Sequence, residues 1–112
     1  MPSPARIRST IATITDAPAE LRALVVMHKV LADPTRLRIL QRLSHGEGTV
    51  GELTRHVDLS QPLVSWHLRS LRAVGLVETR RVGREVICRL DRGALERYHE
   101  QERQLLGAGG SS

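Results

Sequence analysis

The sequence predicts a mainly α-helical domain with one small β-hairpin near its C-terminal end. Through most of the 112 residues, apolar side chains recur every three or four positions, which is the spacing of an amphipathic helix. Between residues 76 and 90 the spacing changes to alternation, in two β-branched runs on either side of Gly83. Two of the predicted helices are separated only by a short turn at residues 58–60. Together these features predict a helix-turn-helix followed by a hairpin.

The composition favours a small basic domain with an aliphatic core. The chain has no Phe, one Trp and one Tyr, so Leu, Val, Ile and Ala must form its core. Its formal charge is +5, and 16 of the 17 basic residues are Arg. Because guanidinium groups match phosphates and guanine edges, this charge favours an anionic partner, nucleic acid ahead of a membrane surface. The length suits one domain, which is often extended by pairing with a second copy.

The predicted domain spans residues 19–106. It follows an N-terminal arm or short helix (1–18) and precedes a flexible tail rich in Gly and Ser (107–112). No apolar run has the length of a signal peptide or of a membrane span. We therefore expect a cytoplasmic protein that does not associate with membranes.

The first helix of the domain, predicted over residues 19–32, is apolar nearly all round. One face carries Leu21, Leu24, Val25, His28 and Leu31, and the other carries Val26, Met27 and Val30. A helix of this kind is covered twice, once by its own domain and once by another surface. A partner subunit is the simplest second cover.

The next helix, "PTRLRILQRL", begins at Pro34 with Asp33 as its predicted N-cap. Its leucines are predicted to face inward and its arginines outward. The inward residues are Leu37, Leu40 and Leu43, and the outward residues are Arg36, Arg38 and Arg42.

Two further helices are predicted over residues 50–57 and from the N-cap Ser60 to about Val74. The buried stripe of the second consists of Val64, Leu68, Leu71 and Val74. Trp66 lies away from that stripe, so we expect its ring to be exposed or to lean on the edge of a neighbouring helix. It is also placed to brace Arg69, three residues on, or to contact a sugar or a thymine methyl.

The polar face of the second helix and the hairpin tip together predict a winged helix-turn-helix that binds DNA. Gln61 suits a bidentate pair with adenine, and Ser65 suits several bases. The arginines suit phosphates, and one hairpin Arg suits the minor groove. The candidate DNA-binding residues are Gln61, Ser65, Trp66, Arg69, Arg80, Arg81 and Arg84. The competing interpretation is a winged helix that binds protein and has no affinity for DNA.

Catalysis is not predicted, and the single cysteine limits redox chemistry. Ser65 and His67 are two apart on a helix and point in different directions, and no glycine-rich phosphate loop is present. Because Cys88 is the only cysteine of the sequence, no intramolecular disulfide can form. Cys88 alternates inward with Val86 and Leu90, so we expect it to be a small buried apolar residue.

The segments "ADPTRLRIL", "LSQPLVSWHL", "LRAVGLV" and "RRVGREV" resemble, in combination, the ArsR/SmtB family of bacterial winged-helix repressors. The resemblance covers residues 31–90. It implies a homodimer formed by the first and last helices and bound to a palindromic operator. It also implies an inducer, often a metal or metalloid ion, that changes the affinity for DNA.

The chain departs from both metal sites that recur in this family. Thr49 and Gly51 stand at the positions of the thiolate pair. Arg92, Ala94 and Leu105 stand at positions of the second site, on the last helix.

A different nitrogen and oxygen site remains open, and such ligands suit nickel or zinc. Its candidate ligands are His99 and Glu102, which are three residues apart on the last helix and are spaced to take one ion, together with Asp91 or His28 from the partner subunit. The same residues are also compatible with a hydrogen-bonded core histidine and with ordinary ion pairs. In that case the effector is a co-regulator protein, or there is none.

Overall fold

The computed structural model describes residues 18–107. They form five α-helices and a three-stranded antiparallel sheet. In chain order the elements are α1 (Ala19–Leu31), α2 (Pro34–Leu43), β1 (Gly48–Thr49), α3 (Val50–Val57), α4 (Gln61–Ala73), β2 (Val77–Val82), β3 (Glu85–Leu90) and α5 (Arg92–Glu102). The mainly helical, winged helix-turn-helix class is confirmed. The expected arm at residues 1–17 and the tail from residue 108 onward lie outside the described residues.

Helix α2 begins where the sequence predicts. The Asp33 carboxylate accepts hydrogen bonds from the backbone N–H groups of Thr35 (2.8 Å) and Arg36 (3.2 Å), and Pro34 occupies the first helical position. This N-cap satisfies two donors that have no partner inside the helix. It also fixes the start of the helix and therefore which of its side chains face the core.

The predicted inward face of α2 is wrong in one respect. Ile39, Leu40 and Leu43 are buried, but Leu37 is 49% exposed. The apolar stripe of a helix follows the spacing i, i+3, i+4, i+7. Here that stripe begins at Arg36, whose side chain is half-buried, and leaves Leu37 at its edge. The spacing of the leucines did not predict this stripe, because an arginine, Arg36, occupies one of its inward positions.

Helices α3 and α4 form the helix-turn-helix. The Thr49 hydroxyl caps α3 by accepting the N–H of Glu52 at 3.0 Å, and Asp58 ends it in a left-handed conformation with φ 55°. Ser60 is the N-cap residue of α4, as predicted, although its side chain makes no capping hydrogen bond. The buried stripe of α4 begins at the fully buried Val64, as its spacing predicts.

The wing is the predicted hairpin with one strand more. Strands β2 and β3 pair around Gly83, whose φ of +62° favours glycine at this turn. The two-residue strand β1 adds to the other edge of β3, pairing Gly48 with Cys88 and Thr49 with Ile87, which gives the order β1-β3-β2. This third strand ties the start of α3 to the wing.

The core is aliphatic and lies between the helix-turn-helix, α2 and the sheet. Among the described residues, its fully buried side chains are Ile39, Leu53, Val64, Leu71, Leu76 and Cys88. Burial raises the pKa of the Cys88 thiol to about 11. None of the described helices combines the length and apolar composition that a membrane crossing requires.

Helix α5 packs against α1 and closes the domain. The Asp91 carboxylate caps it by accepting the N–H of Ala94 at 3.0 Å, and Tyr98 is its buried side chain. The chain continues past Glu102 as a π-helical turn to Gly107. Leu105 and Leu106 in this turn are exposed.

Candidate nucleic-acid interface

The polar face of α4 and the β2 strand of the wing line a common groove. Gln61, Ser65 and Arg69 lie one helical turn apart, and Arg81 faces them from β2. The groove has a volume of about 320 Å³. The structure therefore brings together the base-reading and phosphate-binding candidates, although they are distant in sequence.

A second groove of about 440 Å³ continues from the first toward the hairpin tip and the start of α3. Arg81 and Arg84 line it from the wing, and Arg55 lines it from α3. All three are exposed, and none forms an ion pair within residues 18–107. Arg55 is not among the DNA-binding residues predicted from the sequence. The only sequence signal for it is a basic residue on the first helix of the helix-turn-helix.

Arg80 lies apart from the other wing arginines. Side chains alternate between the two faces of a strand, so Arg80 and Arg81 point to opposite sides of β2. Arg80 forms an ion pair with Glu47, in the loop before β1, and this hydrogen bond lowers the pKa of the Glu47 carboxyl. Arg81 and Arg84 therefore lie beside α4, whereas Arg80 lies on the opposite face of the sheet.

Trp66 is 51% exposed, in agreement with its predicted position outside the core stripe. The charged group against its ring is Arg36 of α2, and not Arg69 of its own helix. The guanidinium carbon of Arg36 lies 5.2 Å from the centroid of the indole. The ring therefore leans on a neighbouring helix while its other side remains open to solvent.

Two of the four candidate metal ligands, His28 and Glu102, are in contact within a single chain. Nε2 of His28 on α1 lies 2.8 Å from Oε2 of Glu102 on α5, and the Tyr98 hydroxyl donates to the same oxygen at 3.1 Å. These hydrogen bonds lower the pKa of Glu102. Asp91 caps α5, and the ring of His99 tilts against that of Tyr98. Within the described part of the chain, no three such residues form a group able to hold an ion.

Comparison with known sequences identifies the same region. The family model described as "Bacterial regulatory protein, arsR family" matches residues 33–79, from the cap of α2 into β2. A "Biofilm growth-associated repressor" of Agrobacterium fabrum is 40% identical over 60% of this chain and 57% of its own length. A "Probable mercury resistance operon repressor" of Streptomyces lividans is 47% identical over 52% of this chain and 46% of its own. The chain thus spans about half the length of these relatives.

Longer alignments exist with other proteins. A "Biofilm growth-associated repressor" of Xylella fastidiosa is 38% identical over 73% of this chain and 74% of its own length. Reduced HlyU from Vibrio cholerae N16961 superposes with a TM-score of 0.62 at 36% identity, covering 77% of this chain and 90% of that one. A winged helix-turn-helix DNA-binding domain from Mycobacterium bovis, described as homodimeric, has a TM-score of 0.61 at 28% identity and covers 76% and 83%. The chain therefore belongs to the ArsR family of bacterial regulatory proteins.

Proposed function

We propose that this protein is a sequence-specific DNA-binding transcriptional regulator of the ArsR/SmtB type. The observation that carries the proposal is the groove in which Gln61 and Ser65 of α4 stand beside Arg69 and the wing cation Arg81. Polar side chains read base edges, while arginines bind phosphates on either side. The printed names of several relatives describe repressors, which favours repression as the direction of control.

In this proposal α4 enters the major groove. Gln61 pairs with an adenine edge and Ser65 with a neighbouring base, while Trp66 contacts a sugar or a thymine methyl. Arg69 and Arg81 neutralise phosphates along both edges of the helix. Arg84, at the hairpin tip, is the residue best placed for the minor groove.

The regulator acts as a homodimer through α1 and α5 on a palindromic operator. Val26 of α1 is 51% exposed, and it lines a groove of about 630 Å³ with Met27 and Tyr98, between α1 and α5. Leu106, beyond α5, is 68% exposed. A second copy that covers this apolar surface would give the assembly two copies of α4 for binding DNA. The related Mycobacterium bovis domain is described as homodimeric.

Nickel or zinc is the proposed effector. His28 and Glu102 supply one nitrogen and one oxygen donor at the contact between α1 and α5. Two donors do not complete a site, so the proposal needs His99 or Asp91 from the partner subunit. A thiolate site is not available at Thr49 and Gly51, and the mercury-related name of one relative therefore does not identify the ion.

Fluorescence of Trp66, the only tryptophan, tests the proposal directly. A duplex selected by this protein from a random pool should change the emission at low salt, and added salt should reverse the change. Nickel or zinc chloride should shift the midpoint of the titration, and replacing His28 and Glu102 by Ala should remove that shift. A control variant at the exposed His45 should keep it.

The outcomes separate the parts of the proposal. DNA binding that neither ion alters keeps the regulator and assigns the effector to a non-metal molecule or a co-regulator protein. If a gel shift also fails to detect any salt-dependent binding, the chain is a winged helix that binds protein, and the proposal is wrong.

A further inference from the structure

Arg36 connects three helices at the edge of the core. Its Nε donates to Nδ1 of His67 on α4 at 3.2 Å, and one terminal nitrogen donates to the carbonyl of Val30 in the last turn of α1 at 3.5 Å. The same guanidinium lies 5.2 Å from the centroid of the Trp66 ring. One side chain of α2 therefore contacts the end of α1 and two consecutive residues of α4.

His67 provides the fixed part of this arrangement. It is the one polar side chain in the buried set of the described residues, at 7% exposure. Because Nδ1 accepts the hydrogen bond from Arg36, the proton of the neutral imidazole is assigned to Nε2. The His67 ring lies 4.9 Å from the Trp66 ring at an interplanar angle of 68°, an edge-on contact. Trp66 thus contacts both the buried ring of His67 and the half-buried guanidinium of Arg36.

We propose that Arg36 is a positioning residue that holds Trp66 in the orientation in which α4 meets DNA. This inference rests on the DNA-binding function proposed above. A half-exposed side chain without lateral contacts would exchange among staggered rotamers and lose entropy when DNA fixed it. Arg36 and His67 remove that freedom before DNA arrives. The link to Val30 places the same residue against the last turn of α1.

The guanidinium group suits this role better than an ammonium group. Its planar fork donates in fixed directions to His67 and Val30 while its face remains available to an aromatic ring. A lysine at position 36 keeps the charge but presents one nitrogen, which cannot make all three contacts together. Arg36→Lys is therefore expected to retain only part of the effect.

The test compares Arg36→Ala with Arg38→Ala. Arg38 is on the same helix, is exposed and donates to the His56 carbonyl at 2.8 Å, so the control removes one charge and one hydrogen bond without touching Trp66. For the free proteins, we measure Trp66 emission and its quenching by acrylamide. For the complexes, anisotropy of labelled DNA gives the affinity for a duplex selected by the wild type and for a random duplex.

We expect Arg36→Ala to move the emission to longer wavelength and to increase quenching by acrylamide, while Arg38→Ala changes neither. Arg36→Ala should weaken binding to the selected duplex by roughly threefold to tenfold, the scale of a partly exposed cation–π contact, and binding to random DNA by less. In a Trp66→Ala background the same substitution should change the affinity by less than about twofold, because its partner is absent.

Three results overturn the inference while leaving DNA binding intact. In the first, Arg36→Ala and Arg38→Ala have the same emission and the same ratio of selected to random affinity. In the second, Arg36→Ala costs as much in the Trp66→Ala background as in the wild type, which indicates a role in folding alone. In the third, which applies if Arg36→Ala does not fold, Arg36→Lys keeps the wild-type emission and affinity ratio. Failure of the wild type to bind either duplex instead overturns the proposed function.

Discussion

Two consecutive arginines of the wing have opposite surroundings. Arg81 faces the groove beside α4, whereas Arg80 is on the other face of β2 and is paired with Glu47. We predict that Arg81→Ala weakens binding to all duplexes and reduces the slope of log affinity against log salt by about 0.9, the value for one lost phosphate contact. Arg80→Ala, which removes the same charge, is the matched control and should leave the slope nearly unchanged. Equal changes in both variants would contradict the assignment of faces.

Gln61, unlike the arginines, is proposed to read the DNA sequence. We predict that Gln61→Ala reduces the preference for selected over random DNA by about 1–3 kcal/mol, the worth of one bidentate pair with a base. Arg69→Ala, two turns further along the same face of the helix, should weaken both complexes by similar factors, because Arg69 is proposed to contact phosphate. Competition assays with the two duplexes measure both quantities. Equal losses of Gln61→Ala on selected and random DNA would remove it from base recognition.

Between elements, the contact of α1 with α5 depends on an ionised carboxylate. Hydrogen bonds from His28 and Tyr98 lower the pKa of Glu102 below that of the unfolded chain. Its contribution to the free energy of unfolding is therefore complete above the ordinary glutamate range and is lost as pH falls through the lowered pKa. Because more than a third of the Glu102 side chain is exposed to solvent, the effect on stability is small.

We predict that Glu102→Gln lowers the midpoint of thermal unfolding by no more than a few degrees at neutral pH. The difference from the wild type should disappear under acidic conditions, when Glu102 itself is protonated. Glu100→Gln is the control, because Glu100 pairs with Arg103 beyond α5 and has no contact with α1. Thermal scans monitored by circular dichroism at several pH values measure this. A difference that grows toward acidic pH would show that the sign is wrong.

The elements themselves were largely predictable because each carries a local pattern. The cap at Asp33, the turn at Gly83 and the stripe of α4 each depend on a few neighbouring residues. Strand β1 was not predictable because two residues are too short for any periodicity. The inward face of α2 was misassigned because Arg36 interrupts an otherwise apolar stripe.

The candidate site was predictable along α4 and, for Arg81 and Arg84, at the wing. Gln61, Ser65 and Arg69 lie on one polar helical face that the sequence displays directly. The face of Arg80 depends on strand phase and on Glu47, which is 33 residues away. Arg55 and the partnership of Arg36 with Trp66 likewise depend on helix packing, which no local pattern encodes. Long-range contacts therefore determine which arginines line the proposed interface.

Binding to a palindromic operator requires a dimer of the protein. We predict that sedimentation of the protein gives twice the mass of the 12.5 kDa chain, and that Val26→Asp dissociates it. A carboxylate in the apolar surface between α1 and α5 would lose its hydration without gaining a partner. Leu37→Asp, at an equally exposed position on α2, is the control and should remain dimeric. A monomeric wild type, or an unaffected Val26→Asp, would contradict the proposed interface.

Hydroxyl-radical footprinting of a duplex selected by the protein shows whether a dimer binds DNA through both copies of α4. A dimer that presents two copies of α4 should protect two backbone patches related by an approximate two-fold axis. Their centres should be separated by about one turn of DNA, roughly 34 Å. Protection of both patches at the same protein concentration, lost on raising the salt, is the predicted result. A single asymmetric patch would contradict the proposal that the protein binds DNA as a dimer. No protection at any salt concentration would contradict the proposal that it binds DNA at all.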